Sequence, residues 1–441
     1  MSTNTFDRNF KFTTFNDKQL MSILLANATY IDYQTLEFIP CNILIESSPK
    51  GRLVFTSKQD NNVDIKIDCT GKYVTHAFGC GHHHVYSALA TGMHPPKKIP
   101  ENFLETLQYI WWTLDVCLDM EMIEASALAT AIACAKNGVT FVIDHHSSPA
   151  AIKGSLETIA KAFDRVGISH LLCYEISDRN GEQAINQAFD ETEDYLLKRQ
   201  GLVGLHASFT LSDHTLKQAK KISDKYHTGI HIHVAEDPLD QQQCLEEHNK
   251  TVVERLYDFG LLSQQKSILS HCLHINDSER ELINRSGVWI AQNTDSNLNN
   301  KVGFFNSRGI EKNVMLGTDG MHSDMLKSAK TTFFVGQNFD KIDYSETYLR
   351  FRNVHRYIKE NDFTGDDDNN LVVLDYNPVT DFNTRNFYGH FIFNIEAKHV
   401  QHVISNGRLI VKDRKVVTVD ENEIMNHTRE LSKKLWEKMT K

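Results

Sequence analysis

From about residue 75 onward, short runs of apolar and β-branched residues alternate with longer amphipathic stretches. This alternation is typical of repeated strand–helix units that build a parallel sheet. Eight runs can be counted, which predicts an α/β chain folded as a (β/α)8 TIM-like barrel. The runs are 73–79, 140–144, 170–176, 202–206, 229–234, 267–271, 288–292 and 314–316. Helices are expected at 151–166 and 213–226, whereas the connection 293–313 looks least like a helix.

The two ends of the chain have a different pattern from the middle. The chain has 441 residues, more than the roughly 250 of a plain barrel, so a second unit is expected. Segments 24–68 and 371–419 are rich in short strands with turn signals, such as 47–51 and 406–407. These segments predict one small, discontinuous β-sandwich domain. The expected boundaries are 1–74 and 369–441 for this domain and 75–368 for the barrel.

Two further features lie toward the carboxyl end of the chain. Asp366-Asp367-Asp368 forms an acidic stretch, which we interpret as a solvated loop that leads from the barrel back to the β domain. The amphipathic stretch 421–439 predicts a helix that closes the chain.

Charge and cysteine usage restrict the partners and the compartment. The 57 acidic residues outnumber the 47 Lys and Arg, and a net charge of −10 disfavours nucleic acid or an anionic membrane as partner. A small-molecule substrate fits better. No apolar run reaches the roughly eighteen residues of a membrane span, and residues 1–20 lack the apolar block of a signal peptide. The eight cysteines include no CxxC pair, which indicates neither a disulfide framework nor a thiolate zinc site and favours a cytoplasmic location.

Four of the predicted strands are followed directly by residues that bind metals. The carboxyl ends of the strands form the active-site face of a barrel of this kind, so these residues are expected to meet there. The motifs are GHHH at 81–84, HIHVAE at 231–236, SHC at 270–272 and GTDG at 317–320.

Histidines spaced two apart project their imidazoles to the same side of an extended strand, so both can bind one ion. Imidazole nitrogens with a single carboxylate suit Zn²⁺ or Fe²⁺ better than Ca²⁺ or Mg²⁺. One such pair is weak evidence, because histidines that only form hydrogen bonds at a strand end explain it equally well. The full set at four strand ends favours a metal site.

The segments GHHHVYSALATGM, HIHVAE, LSHC, NTDSN and LGTDG resemble the ordered signature of the amidohydrolase superfamily. The resemblance is to its branch of cytosine deaminases and chlorohydrolases, and the chain looks most like the SsnA-type aminohydrolases. It extends over nearly the whole chain, with segments such as FVIDHHSSP, CYEISDRNG and SNGRLIVKDRKVVTVD. It implies a metal-dependent hydrolase that acts on carbon–nitrogen bonds, as a cyclic amidine deaminase does.

Residue by residue, the resemblance implies four metal ligands, namely His82, His84, His233 and Asp319. Glu236 follows His233 by three residues, as in the family's HxxE motif, and corresponds to the proton shuttle. His271 corresponds to the histidine beside the bound water or the developing oxyanion. His231 is then a neighbour of the ligands and not itself a ligand.

The implied reaction is attack of a metal-bound hydroxide on a ring carbon of a nitrogen heterocycle, with release of ammonia. Glu236 delivers a proton to the ring nitrogen, Asp319 accepts one from the attacking water, and His271 stabilises the tetrahedral oxygen. Members with two metals usually carry a bridging lysine at the end of the fourth strand. This chain has His206-Ala207-Ser208-Phe209 there, which favours one divalent ion; Zn²⁺ is preferred and the ligands also suit Fe²⁺.

The chain also departs from the family pattern at three places. His83 stands in the middle of the HxH motif where threonine is common, and its side chain is expected to point away from its neighbours. His76-Ala77 replaces the usual Pro-Gly before the end of the first strand, and Thr294 replaces the proline of the NPxSN loop.

Candidate substrate-binding residues follow the strands, and they are His206, Arg179, Glu175, Tyr86 and Trp112. The aromatic rings are candidates for stacking on a flat heterocycle. Trp111 and Trp112 fit helix core or an interface as well, and Arg179 fits a surface salt bridge. His145 and His146 end the second strand, and we interpret them as hydrogen-bonding neighbours of the ligands.

Two other functions remain open at the level of the sequence. The same ligands serve an enzyme that displaces halide from a ring or opens a cyclic amide, and only the product distinguishes these reactions. A catalytically inert, metal-binding partner protein is the second alternative, although it has no use for Glu236 and His271. The resemblance also allows a homodimer or a higher homo-oligomer.

Overall fold

The computed structural model describes residues 22–45, 53–56 and 63–440. Within them, eight parallel strands form the predicted barrel. Five strands and three strands make two continuous sheets, and parallel bridges between Leu172 and Gly201, Ile176 and Leu205, and His83 and Asp319 close the ring. The barrel strands are Phe78–His83, Val139–His146, Ser169–Tyr174, Val203–Ala207, Ile230–Val234, Ile268–His271, Trp289–Gln292 and Val314–Leu316. The (β/α)8 prediction is confirmed.

Most barrel strands are followed by a helix that packs its apolar side on the sheet. The barrel helices are Phe103–Thr106, Trp112–Asp115, Met120–Lys136, Ser155–Val166, Glu182–Leu196, Asp213–Tyr226, Pro238–His248, Val252–Asp258, Asp277–Ser286, Thr294–Asn300, Met325–Phe339 and Tyr344–Glu360. The helix predicted at 213–226 has these exact limits because Ser212 caps its start by accepting from the Thr215 amide. The seventh connection holds only the short helix Thr294–Asn300, in keeping with its weak helical pattern.

The terminal segments share one sheet of nine strands, which confirms that they form a single discontinuous β unit. Its strands are Ile23–Ile31, Phe38–Ile45, Leu53–Thr56, Ile65–Asp68, Tyr73–His76, Leu371–Leu374, Val400–Ser405, Arg408–Lys412 and Lys415–Val416. The amino- and carboxyl-terminal halves join where Tyr73–His76 pairs antiparallel with Leu371–Leu374. The predicted turn at 47–51 and the predicted absence of a signal peptide at 1–20 lie outside the described residues.

The helix Glu421–Met439 closes the chain, as predicted. It buries Leu431 and Leu435, and the indole of Trp436 donates a hydrogen bond to the backbone oxygen of Leu89 at 2.8 Å. One more short helix, Phe387–Phe393, lies in the chain between the strands Leu371–Leu374 and Val400–Ser405. Among the described residues, no helix combines the length and the apolar character needed to cross a bilayer.

The run 73–79, predicted as one strand, is two strands in different sheets. Tyr73–His76 belongs to the terminal sheet, and Phe78–His83 is the first strand of the barrel. The chain changes sheets at Ala77, which is fully buried and donates its amide hydrogen to the backbone oxygen of Asn370 at 2.9 Å. His82 is therefore part of the first barrel strand and does not follow it.

The interpretation of Asp366 as part of a solvated loop is wrong. Its side chain is 2% exposed and accepts hydrogen bonds from His355 at 2.6 Å and His76 at 3.3 Å. Burial alone would raise the pKa of this carboxyl, but the two imidazoles outweigh burial and hold the pKa of Asp366 well below its ordinary value. The acidic run thus includes a buried residue that joins the barrel to the terminal sheet.

Candidate metal centre

Alternation along the first barrel strand directs two of the three consecutive histidines into the barrel. His82 and His84 both reach the centre, where the Nε2 of each approaches Asp319. His83 points the other way, as predicted, and its Nε2 lies 3.1 Å from the hydroxyl oxygen of Ser323. The pleat of an extended strand accounts for this separation.

Backbone carbonyls orient the imidazoles of His84 and His233. The Nδ1 of His84 lies 2.6 Å from the backbone oxygen of His145, and the Nδ1 of His233 lies 2.9 Å from that of His206. A carbonyl can only accept, so each Nδ1 carries the proton and donates it. In the neutral form of each ring, Nε2 then has a free lone pair, which is the form that binds a metal.

Three of the distances among four donor atoms lie near the spacing that a tetrahedral ion requires. The Nε2 of His84 is 2.9 Å from Asp319 Oδ1 and 3.1 Å from His233 Nε2, and His82 Nε2 is 3.2 Å from Asp319 Oδ1. Zinc–nitrogen bonds of about 2.0–2.1 Å place the ligands of one tetrahedral ion about 3.3 Å apart. The donor set can therefore hold one divalent metal ion.

His231 contacts the imidazole of His82 at Nδ1. Its Nε2 lies 2.9 Å from His82 Nδ1 and 3.2 Å from the hydroxyl oxygen of Ser270. His145 orients His84 through its backbone oxygen, and its own Nε2 lies 3.0 Å from the backbone oxygen of Leu205. These contacts match the expectation that neighbouring histidines orient the candidate ligands.

Asp319 lies at the end of the last barrel strand with a left-handed backbone, at a φ of 52°. Its Oδ2 accepts a hydrogen bond from the Ser296 hydroxyl, which leaves Oδ1 facing the imidazoles. Burial raises the pKa of this carboxyl, but His84 and His82 outweigh burial and the pKa of Asp319 lies well below its ordinary value. The group is therefore ionised, as a metal ligand must be.

Other non-glycine residues with a left-handed backbone conformation also lie at strand ends around this centre. The φ angles are 46° at Ala235, 73° at His271 and 52° at Cys272. Such conformations are unfavourable for residues with a Cβ and occur mainly where the surrounding structure holds them in place. Here they turn the chain sharply so that Glu236 and His271 face the centre.

Glu236 and His271 form an acid–imidazole pair beside the donors. Glu236 Oε2 lies 3.5 Å from His271 Nε2, and Asn300 donates to Glu236 Oε1 at 3.4 Å. Burial, with the negative charge of Asp319, raises the pKa of Glu236 well above its ordinary value. Both effects favour the protonated form of this side chain, from which it can deliver a proton.

The tautomer of His271 follows from Asn297. The amide nitrogen of Asn297 lies 2.8 Å from His271 Nδ1 and can only donate, so Nδ1 accepts and Nε2 carries the proton. Within the described residues, that buried Nε2 has no hydrogen-bond partner. It is a donor directed toward the centre, where a developing negative oxygen could accept it.

A pocket of about 910 Å³, including its open mouth, leads from the surface to the centre. One wall is apolar and comes from the segment between the first barrel strand and Met120–Lys136; its members are Phe103, Leu104, Leu107, Trp111 and Trp112. Phe209 and Met321 add to the apolar lining. Apolar walls around a few polar groups are typical of sites that bind small molecules.

The structure places four of the five candidate substrate-binding residues around this pocket, and they are Tyr86, Trp112, Glu175 and His206. Arg179 is the exception, because its guanidinium pairs with Glu175 at 2.7 Å and Asp115 at 3.6 Å. It also lies 4.5 Å from the ring centre of Trp112. Arg179 is thus neither on the pocket surface nor in an exposed salt bridge, since its side chain is 12% exposed.

Sequence reasoning did not assign roles to several residues of the centre. Ser296 and Asn297 belong to the NTDSN motif, so their family signal was present, but only the structure links them to Asp319 and His271. Asp115 had no signal, since its proximity to Glu175 depends on the fold. The clustered apolar residues at 103–112 were the available sign of the pocket wall.

A protein-family model described as the amidohydrolase family matches residues 73–351 of this chain. The chain belongs to the amidohydrolase family. The match begins at Tyr73–His76 and ends within Tyr344–Glu360, so it includes all eight barrel strands of this amidohydrolase. The family resemblance inferred from the motifs is therefore confirmed.

Relatives of this amidohydrolase include deaminases. The 5'-deoxyadenosine deaminase of Methanopyrus kandleri is 28% identical over 353 residues, covering 74% of this chain and 78% of the relative. The 5-methylthioadenosine/S-adenosylhomocysteine deaminase of Syntrophomonas wolfei is 24% identical, covering 94% of this chain and 99% of the relative.

Two solved structures share the fold at 16% identity. An adenosine deaminase from Xanthomonas campestris with bound zinc has a TM-score of 0.79 and covers 94% of this chain and 98% of its own. Atrazine chlorohydrolase from Arthrobacter aurescens with zinc has 0.77 and covers 93% and 100%.

Proposed function

We propose that this amidohydrolase is a metal-dependent deaminase that removes the exocyclic amino group of an adenine-type nucleoside as ammonia. The observation that carries the proposal is the convergence of His82, His84, His233 and Asp319 beside the protonated Glu236. The names of the relatives supply the substrate class, since those proteins deaminate adenosine derivatives.

The proposed ligands of a single Zn²⁺ are His82, His84, His233 and Asp319, with the donor spacing given above in support. When bound, such an ion lowers the pKa of a coordinated water to about 7 and so supplies a nucleophile at neutral pH. No lysine lies at the end of the fourth strand, which is Val203–Ala207, and a single ion is proposed for this centre.

The chain's own groups move the protons. Glu236 donates a proton to the ring nitrogen next to the attacked carbon, and its raised pKa favours the protonated form that this role needs. Asp319 is ionised and accepts a proton from the attacking water. His271 offers its Nε2 hydrogen to the oxygen that develops negative charge, because Asn297 fixes that tautomer. Ammonia leaves as the carbon regains its double bond, with the proton held by Asp319 passing to the amino group and the hydroxyl proton returning to Glu236.

Substrate orientation is assigned to the pocket walls. Tyr86 and Trp112 are proposed to contact the flat faces of the base, and the apolar segment around Leu104 and Leu107 is proposed to cover an apolar substituent on the sugar. Arg179 is proposed as a positioning residue, since it pairs with Glu175 and leaves the other carboxylate oxygen facing His145.

The experiment is a screen of the zinc-loaded protein against 5'-substituted adenosines, cytosine, guanine, a pterin and a chlorinated triazine. Ammonia is measured by a coupled assay, chloride by an ion electrode and the product by mass spectrometry. The proposal predicts ammonia and the corresponding inosine derivative from at least one adenosine. Chloride release from the triazine, or a ring-opened product, with no ammonia from any nucleoside, would replace deamination by the corresponding hydrolysis.

A further inference from the structure

A second group of metal-binding side chains lies outside the catalytic centre. His76, which departs from the family pattern, and Asp366, from the acidic stretch, meet His355 of the helix Tyr344–Glu360. His355 Nδ1 lies 2.6 Å from Asp366 Oδ2, and His76 Nε2 lies 3.3 Å from Asp366 Oδ1. The two imidazoles are 4% exposed and the carboxylate is 2% exposed.

This cluster joins the barrel to the terminal sheet. His76 ends the strand Tyr73–His76 and pairs with Leu371 across the sheet. His355 belongs to the helix after the last barrel strands, and Asp366 to the loop that leads back to the sheet. The ring of Tyr33 stacks on His76 with ring centres 4.8 Å apart and covers the cluster.

The donor set has the chemistry of a transition-metal site. Each of the three residues offers one ligand atom, and these atoms all lie within 4.8 Å of one another. Two imidazole nitrogens and one carboxylate suit zinc and neighbouring divalent metals, whereas magnesium and calcium prefer oxygen ligands. In addition, His355 Nε2 is buried without a hydrogen-bond partner among the described residues.

We propose that His76, His355 and Asp366 form a second binding site for a divalent transition metal, of the zinc class, that fastens the barrel to the terminal sheet. The three protein ligands leave a fourth position for water, so this site is more open than the four-ligand shell of most structural zinc sites. This role is structural and separate from the proposed deamination, because the site adjoins the sheet and shares no residue with the pocket.

The affinity of this second site is expected to be lower than that of the catalytic centre. It has two imidazoles, where the catalytic centre has three. Arg352 also donates to the backbone oxygens of His76 and Ala77, at 3.1 and 2.9 Å, and its positive charge opposes a nearby cation. A chelator should therefore remove this ion before the catalytic one.

The test is zinc titration of the wild-type protein against a chromophoric chelator, with elemental analysis after dialysis into a zinc buffer. Wild type is expected to bind two ions per chain in two phases. Asp366→Asn and His355→Gln are expected to bind one ion per chain, with ammonia release unchanged. Their thermal midpoint of unfolding should no longer change over the zinc concentrations at which the weaker site fills. His402→Gln, which changes a buried histidine beside Asp413 in the terminal sheet, is the matched control and should keep two.

The double variant His82→Ala/His84→Ala separates this site from the catalytic one. It should lose activity and retain one ion per chain, which disappears when His355→Gln is added. A wild-type protein whose only bound ion is lost in His82→Ala/His84→Ala and kept in His355→Gln overturns the proposal and leaves the cluster as a hydrogen-bonded junction. Two ions retained by both Asp366→Asn and His355→Gln overturn it as well.

Discussion

Glu236 lies three residues after His233 in the sequence, and its Oε2 lies 3.5 Å from His271 Nε2 in the structure. Replacing one carboxyl oxygen with an amide nitrogen tests its role. Glu236→Gln keeps the size of the side chain and removes the transferable proton. We expect kcat to fall by about 10³-fold, within the range for a lost general acid, while the zinc content stays unchanged. Steady-state ammonia release and elemental analysis check this expectation.

The control for that experiment is Glu247→Gln, which makes the same chemical change on an exposed helix position. Its kcat should match wild type. A Glu236→Gln enzyme with full turnover and bound zinc would remove Glu236 from the mechanism.

Asp240 provides a pH test of the buried wall near the centre. Its carboxylate accepts from the amides of Ala235 at 2.9 Å and Phe209 at 3.2 Å, and burial raises the pKa of Asp240 to about 7. The folded state thus keeps a proton that the unfolded chain releases above about pH 4. Stability from this group is present at low pH and is lost as the pH rises toward 7.

We therefore expect the free energy of unfolding of wild type, relative to Asp240→Asn, to decrease by about 2.5 kcal/mol between pH 5 and pH 8. Any pH-independent cost of the substitution cancels in this slope. Urea unfolding at four pH values measures it. A difference between the two proteins that stays flat over this range would contradict the raised pKa.

For single residues, predictions from the sequence were correct where the spacing of residues along the chain determines the direction of their side chains. The two-residue spacing of His82 and His84 predicts a shared side on any extended strand, and the structure brings both to Asp319. Burial of Asp366 could not be predicted, because it depends on two histidines that are 290 and 11 residues away in the chain. The residues next to the acidic run do not indicate which distant histidines will contact it.

At the scale of helices and strands, periodicity predicted most elements. The helix Asp213–Tyr226 and the closing helix Glu421–Met439 match their predicted limits, since each begins with a side-chain cap. Two predictions differ from the structure: the helix expected at 151–166 begins at Ser155, and the run 73–79 is two strands. Both of its halves are apolar and extended, so no sequence signal marks the change of sheet at Ala77.

Gly287 tests how the helix Asp277–Ser286 ends. It has a φ of 67°, and an added Cβ would meet only Gln265 at 3.4 Å, so the backbone alone determines the effect. Gly287→Ala is expected to lower the free energy of unfolding by about 1 kcal/mol, because side chains disfavour the left-handed conformation. Chemical denaturation measures the change.

Gly389 is the matched control, since it lies inside the helix Phe387–Phe393 and an added Cβ would meet nothing within 4 Å. Gly389→Ala should raise stability by about 0.5–1 kcal/mol. Equal effects of the two substitutions would show that the helix end does not depend on glycine.

At the scale of the whole molecule, the proposed catalytic metal links four barrel strands that are distant in the chain. An ion bound only by the folded state stabilises it by about 4 kcal/mol when its free concentration is 1,000 times Kd. We expect a chelator to lower the thermal midpoint of unfolding, and zinc to restore it. Removing the ion leaves the negative charge of Asp319 without the positive charge of the metal beside it. Differential scanning calorimetry measures both changes.

The double variant His82→Ala/His84→Ala should show a smaller chelator effect, since only the proposed second site remains. An identical shift in wild type and in this variant would mean that the catalytic centre contributes no metal-dependent stability.

The most direct test of the account is the position of the metal itself. Diffraction data recorded above and below the zinc absorption edge, from crystals grown with zinc, would locate it by anomalous scattering. The account predicts a peak about 2.0–2.2 Å from the Nε2 atoms of His82, His84 and His233 and from Asp319 Oδ1, with Glu236 beside it. Crystals of active protein with no peak at that point would contradict it.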